Sequence, residues 1–142
     1  MQALEVDRLN VEVLNNLGNL LAKSSKYESA LEYLQRALDL NNKNANTLNN
    51  LANVNRLIGN LEVATKLVQE AITEDPELEI AYGTLAEIYA QQSNDEMFYK
   101  NLKIALSKGF QLDKFIDDAA YNEYRDSQKF KDIVSKHTSK TK

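Results

Sequence analysis

The feature that most constrains how this chain can fold is a repeat with a period of 34 residues. Four columns of small or apolar residues keep this spacing: Ala3, Ala37, Ala71 and Ala105; Leu17, Leu51 and Leu85; Gly18, Ala52 and Ala86; Ala30 and Ala64. A fixed period of this length is typical of architectures in which each unit buries an apolar face against its neighbours. The chain is therefore expected to fold as an array of stacked units.

Within each period the apolar residues follow the spacing of an amphipathic helix. Two stripes carry the pattern: Leu14, Leu17, Gly18 and Leu21 in residues 11–23, and Ala30, Leu34, Ala37 and Leu38 in residues 27–40. Each stripe falls on one face of a helix with 3.6 residues per turn. One proline and four glycines leave little to end strands or to form hairpins. Each unit is thus predicted to be two antiparallel helices, with Gly18 and Ala30 where the backbones approach closely.

The columns resemble the pattern of the tetratricopeptide-repeat (TPR) family, a helix–turn–helix unit of 34 residues. The resemblance covers about 100 residues, divided into repeats at 11–44, 45–78 and 79–112. Three positions depart from the pattern: Asn55 replaces an aromatic residue, Phe98 an alanine and Phe110 the closing proline. The resemblance implies an all-α, right-handed TPR solenoid of antiparallel helix pairs with a C-terminal helical cap, the third repeat being degenerate.

The two ends of the chain do not match complete repeats. Residues 1–10 align with the last turns of a second helix and are interpreted as the remnant of a preceding repeat, with a short natural cap as the alternative. After Phe110 the period is no longer recognisable. Residues 113–137 are predicted to form capping helices: a short helix at residues 112–120, and a last helix that begins at Asp126 or Ser127. Arg125, Asp126 and Phe130 resemble an element that follows many TPR arrays, and residues 138–142 are predicted to be disordered.

The composition gives no support to catalysis or cofactor binding. The chain has no cysteine and a single histidine, His137, so the usual ligand sets for transition metals cannot be assembled. A net charge of −4 argues against a nucleic-acid partner, and no apolar run approaches the ~20 residues that span a bilayer. We expect a cytoplasmic protein, not an enzyme, with no catalytic residue, no metal and no cofactor, and with neither nucleic acid nor membrane as a partner.

Asparagine recurs on one face of the first helices in the first two repeats. Seven asparagines form this face: Asn15, Asn16, Asn19, Asn46, Asn49, Asn50 and Asn53. The TPR resemblance implies that the face lines a concave groove, and a primary amide can both donate to and accept from a peptide backbone. We predict an asparagine ladder that holds an extended peptide. Four further residues extend the predicted site, the first two as apolar pockets: Leu57, Ile80, Thr84 and Glu87.

The asparagines also admit a compositional explanation, because the chain is rich in asparagine elsewhere. If the amides face solvent, replacing Asn16, Asn50 and Asn53 with alanine would raise stability, since alanine is the better helix former.

The predicted function is a protein–protein interaction scaffold that binds an extended peptide or protein segment as a monomer or weak homo-oligomer. The alternative is a structural assembly module that self-associates through exposed repeat ends. The two-carboxylate clamp of some TPR proteins is not expected, because Asn15, Ile80 and Thr84 stand where its cations would be.

Overall fold

A computed structural model describes the backbone of residues 2–138 and the side chains of residues 8–137. Within these residues the chain forms seven α-helices and two short 3₁₀ turns, and no strand. It divides into two compact units, Met1–Pro76 and Glu77–Lys142. The predicted all-α fold class is confirmed.

The first unit consists of two helix pairs. Its helices are α1 (Gln2–Lys23), α2 (Tyr27–Leu40), α3 (Ala45–Ile58) and α4 (Leu61–Glu74). The main contacts join α1 to α2 and α3 to α4, and α2 also packs against α3. Because the helices of each pair are joined by a short turn and pack along their length, they run antiparallel, as the repeat pattern predicts.

Small residues set the distance between paired helices. Gly18 lies so close to α2 that a Cβ atom there would be 2.5 Å from Cγ of Leu34. The alanines of the second helices are fully buried: Ala30, Ala37, Ala64 and Ala71. The prediction that Gly18 and Ala30 permit a close approach of the helices is confirmed.

The turn inside each helix pair repeats with the same period. It contains one residue with a left-handed backbone: Ser25 (φ 62°), Gly59 (φ 103°) and Ser93 (φ 57°). The next residue donates from its backbone N–H to the carbonyl five residues earlier, as Asn60 does to Asn55 at 2.8 Å. This hydrogen bond ends the helix in a Schellman motif, whose left-handed position favours glycine because glycine has no Cβ. The first helix of each pair therefore ends in the same way, with serine tolerated twice.

Helix α1 is longer than the helix predicted for the first repeat. It runs from Gln2 to Lys23, so residues 2–10 join residues 11–23 in one helix without an intervening turn. The interpretation of residues 1–10 as the remnant of a preceding repeat stays a prediction. The predicted disordered tail, 138–142, lies outside the described residues except for the backbone of Thr138, where the last helix ends.

The second unit contains one helix pair and the segment that covers it. The pair is α5 (Glu79–Gln91) and α6 (Asp95–Ser107), followed by 3₁₀ turns at Leu112–Lys114 and Ala119–Tyr121 and by α7 (Gln128–Thr138). The second 3₁₀ turn packs against α5, and α7 packs against α6. Ser127 caps α7, since its Oγ accepts a hydrogen bond from the backbone N–H of Phe130 at 3.2 Å. Of the two residues predicted to begin this helix, Ser127 is the one that does so.

The single short helix expected at residues 112–120 is not formed. Asp118 interrupts it with an extended backbone (φ −61°, ψ 139°). Its Oδ1 accepts a hydrogen bond from the backbone N–H of Ala120 at 2.9 Å, and a local acceptor of this kind competes with helical hydrogen bonding. Two 3₁₀ turns replace the helix.

The expectation that the period ends at Phe110 also needs correction. Second helices begin at residues 27, 61, 95 and 128, so the start of α7 falls within one residue of the spacing. Ala120 is buried 34 residues after the buried Ala86. The segment after Phe110 therefore occupies the place of a fourth pair whose first helix is reduced to two turns.

Aromatic side chains join this segment to α6. Phe98, which takes the place of an alanine in the repeat pattern, is fully buried. Its ring stacks on Tyr124 at a centroid distance of 4.0 Å and meets Tyr121 and Phe130 at 6.1 and 6.4 Å. A large residue fits at position 98 because the segment presents aromatic rings to it. The predicted C-terminal helical cap is confirmed.

Candidate functional site

The asparagines of α1 and α3 meet where these two helices touch. Asn15 Nδ2 donates to Thr47 Oγ1 at 2.9 Å, and Asn50 Nδ2 donates to Asn15 Oδ1 at 3.5 Å. Asn15 and Thr47 are buried, so the Asn15 amide satisfies a contact between helices and does not face solvent. As a residue predicted to line an open groove, Asn15 is misassigned: it belongs to the packing between the first helices of successive pairs.

Asn49 lies one period after Asn15 and is buried as well, but its hydrogen bonding differs. Only 2 % of the residue is exposed, and its Oδ1 has no hydrogen-bond partner in the described part of the chain. An unsatisfied buried acceptor costs about 1–3 kcal/mol. Asn49 therefore does not offer an open amide to a peptide either.

Asn53 holds the side chain of a buried arginine. Arg56 is 3 % exposed, and its Nε and Nη2 donate to Asn53 Oδ1 at 3.1 and 2.8 Å. A hydrogen bond to a charged donor is about twice as strong as a neutral one. The expectation that replacing Asn53 would raise stability therefore does not hold, because the amide already has a structural role.

The remaining amides of the predicted ladder are accessible. Asn16 and Asn46 are exposed, whereas Asn19, Asn50 and Asn53 are half-buried. Since Asn50 touches Asn15, the accessible amides of α1 and α3 border the same contact between the two helices. The pocket residue proposed for this unit, Leu57, is 36 % exposed in the last turn of α3. We call Asn16, Asn19, Asn46, Asn50 and Asn53 the amide face.

The three predicted site residues of the second unit have a different environment. Thr84 and Glu87 are buried, and Ile80 packs against the cluster of apolar side chains around Phe98. Tyr121 Oη donates to Glu87 Oε2 at 2.6 Å. Glu87 is thus tied to the cap and is not open to a peptide, which corrects the prediction that Thr84 and Glu87 extend the site.

An exposed apolar surface on α1 was missed from the sequence. Leu17, expected on the core stripe, is 38 % exposed, whereas its equivalent one period later, Leu51, is 4 % exposed. Leu51 packs in a cluster with Ala30 and Leu34 of α2, and no helix among the described residues covers the corresponding side of α1. A comparison of the exposure expected for each column at the first pair would have revealed this surface.

The model of the tetratricopeptide-repeat family matches residues 10–73. This stretch begins in α1 and ends in α4, so it covers both helix pairs of the first unit. The chain is a tetratricopeptide-repeat protein. A search of curated proteins finds no significant match.

Solved structures with the same fold cover nearly the whole TPR chain. MamA is 23% identical, with a TM-score of 0.67, and the match covers 99% of this chain and 85% of MamA. The type III secretion translocator chaperone SycD of Yersinia enterocolitica is 17% identical, with a TM-score of 0.65 and coverage of 93% and 94%. SycD in complex with a peptide of the translocator YopD gives 17% identity, a TM-score of 0.61 and coverage of 92% and 94%. At these identities the likeness extends to the fold.

The TPR chain lacks the cations of a two-carboxylate clamp. Asn15 and Thr84 are buried and Ile80 is half-buried at the positions that would carry them. Among residues 8–137, no three His, Asp or Glu side chains lie together as a metal site would require. None of the described helices has the length and apolar character needed to cross a membrane.

Proposed function

We propose that this protein binds an extended segment of a partner protein along the amide face of α1 and α3. The observation that carries the proposal is the contact of Asn15 with Thr47 and Asn50, which joins the amide-bearing sides of the two helices. Accessible amides on either side of that contact can act on one ligand. The protein then works by binding and not by catalysis.

The chemistry of the amide face suits a peptide backbone. Each amide offers two donors and an acceptor, so it can bind both the N–H and the C=O groups of an extended segment. Asn50 and Asn53 are half-buried and held by Asn15 and Arg56, which restricts their rotamers before a ligand arrives. Side chains that are already ordered lose less entropy on binding, and the affinity gains accordingly.

The similar structures support a binding role without defining the ligand. One of them is SycD with a bound peptide of YopD, and we extend peptide binding to this chain as a proposal. Because the cations of a two-carboxylate clamp are missing, we expect the bound segment to be uncharged. Leu57, at the end of α3, would contact an apolar side chain of that segment.

A peptide display selection tests the proposal. Random peptides are selected on the immobilised protein, and the affinity of each selected peptide is measured by fluorescence anisotropy. We expect the double variant Asn16→Ala/Asn46→Ala to bind more weakly, by between about fivefold and about 150-fold, because two hydrogen bonds of about 0.5–1.5 kcal/mol each are lost.

Asn42→Ala is the matched control, because Asn42 is an exposed asparagine in the turn between α2 and α3. Its affinity for the selected peptides should equal that of the wild-type chain. Selected peptides that bind the double variant as tightly as the wild type would refute a role for the amide face.

A further inference from the structure

Helix α1 carries a row of large apolar side chains that are open to solvent. The row consists of Leu9 (61 % exposed), Val13 (54 %), Leu17 (38 %) and Leu20 (61 %). Spacings of four, four and three residues place one of them on each turn of a single helix face. We call these four residues the leucine row.

The positions of the leucine row are buried in the next helix pair. Val13, Leu17 and Leu20 correspond one period later to Thr47, Leu51 and Val54, which are 0, 4 and 1 % exposed. Leu51 and Val54 lie in a cluster with Ala22 of α1 and with Ala30 and Leu34 of α2. The columns of the leucine row are therefore the columns that the protein itself uses for packing one pair on another.

Helix α2 extends this surface into a groove. A cavity of about 600 Å³ is bounded by Val13, Leu14 and Leu17 of α1 and by Tyr33 and Leu40 of α2. Leu40 is 44 % exposed.

The rim of this cavity carries one charge of each sign, on Arg36 and Asp39. The Arg36 guanidinium lies 5.4 Å from the centroid of the Tyr33 ring. A helix placed along the leucine row would bury apolar side chains of both helices next to this charged rim.

One substitution indicates which helix fits the row. In the internal interface Asn15 donates to Thr47, but Val13 replaces Thr47 at the leucine row and has no hydroxyl. A further repeat carrying the same asparagine would leave that amide unsatisfied, at a cost of about 1–3 kcal/mol. A partner surface without polar groups avoids this penalty, and the leucine row is a surface of that kind.

We propose that two copies of this chain associate through the leucine row. The two α1 helices run antiparallel about a two-fold axis between Val13 and Leu17, so that Leu9 faces Leu20 of the second copy. In such an interface each contact occurs twice, and Arg36 of one copy can pair with Asp39 of the other. This proposal does not depend on peptide binding at the amide face.

Light scattering after size exclusion tests the association. Between about 1 µM and about 1 mM, the range in which weak dimers form, the mass should rise from 16.1 kDa towards twice that value. Leu17→Glu and Leu20→Glu should each weaken the dimer by more than about tenfold, because a buried carboxylate without a partner is unfavourable. Val63→Glu is the matched control, since Val63 is 48 % exposed on α4 and lies outside the row.

The absence of cysteine makes disulfide trapping a clean test of the geometry. A mixture of Leu9→Cys and Leu20→Cys chains should form a mixed disulfide faster than either variant forms a disulfide with itself. Faster self-crosslinking of Leu9→Cys would contradict the antiparallel arrangement. A chain that stays monomeric up to about 1 mM, or a dimer unaffected by Leu17→Glu and Leu20→Glu, would overturn the proposal.

Discussion

Gly18 is the residue at which the close packing of a helix pair is most easily tested. Replacing an exposed helical glycine with alanine normally stabilises a helix by about 1 kcal/mol. Here the new Cβ would lie 2.5 Å from Cγ of Leu34, which is fully buried. Overpacking a core costs about 1–3 kcal/mol, so we expect Gly18→Ala to lower the free energy of unfolding in urea, by up to about 2 kcal/mol.

The double variant Gly18→Ala/Leu34→Ala provides the control for this prediction. Removing the Leu34 side chain also removes the contact, so the loss in the double variant should be smaller than the sum of the two single losses. Additive losses would mean that the glycine is not needed for the approach of α2.

Asn53 and Asn16 should respond in opposite directions to replacement by alanine. Asn53→Ala removes the acceptor of two hydrogen bonds from the buried Arg56, and we expect a loss of about 1–2 kcal/mol. Asn16 is exposed, so Asn16→Ala should stabilise by roughly half a kcal/mol through helix propensity alone. Thermal unfolding followed by circular dichroism measures both, and equal effects would show that Asn53 does not hold Arg56.

At the scale of elements, the attachment of the cap to α6 predicts a dependence on alkaline pH. Tyr124 stacks on Phe98, and its hydroxyl donates to Asp95 Oδ1. Burial and then this hydrogen bond raise the pKa of Tyr124 above its ordinary value. Its contribution to stability is therefore complete below the unfolded pKa of about 10 and is lost as the pH rises above it, at up to about 1.4 kcal/mol per pH unit.

Urea unfolding at about pH 8 and about pH 11, on either side of the tyrosine pKa, checks this prediction. Tyr124→Phe should be less stable than the wild type at the lower pH, because the hydrogen bond to Asp95 is lost. Its stability should also fall less between the two pH values, since it has no hydroxyl to ionise at this position. An identical fall in both proteins would mean that Tyr124 does not carry the effect.

For the whole molecule, the fold could be predicted because its determinants recur in the sequence. The columns of Ala30 and Ala64 and the position of Gly18 fixed the helix pairs, and each was found in close packing. The two 3₁₀ turns of the cap could not be predicted in this way. They depend on one hydrogen bond from Ala120 to Asp118, and the pattern of apolar residues at 112–120 contains no trace of it.

The candidate site was less predictable because equivalent positions have different neighbours. Asn15 and Asn49 share a column, yet the first meets Thr47 and the second leaves its Oδ1 without a partner among the described side chains. Whether an amide is open or buried depends on how α1 crosses α3, and sequence periodicity does not encode that crossing. The same limit explains why Leu17 was assigned to the core.

The cap also limits how large an assembly this protein can form. By covering the outer side of α6 with Tyr124 and Phe130, it occupies the surface on which a further repeat would stack. The leucine row of α1 stays open, and a two-fold contact consumes that surface on both molecules at once. Polymerisation needs two complementary sticky ends on every subunit, and a chain with one end covalently plugged can form a closed pair but cannot extend into a fibre.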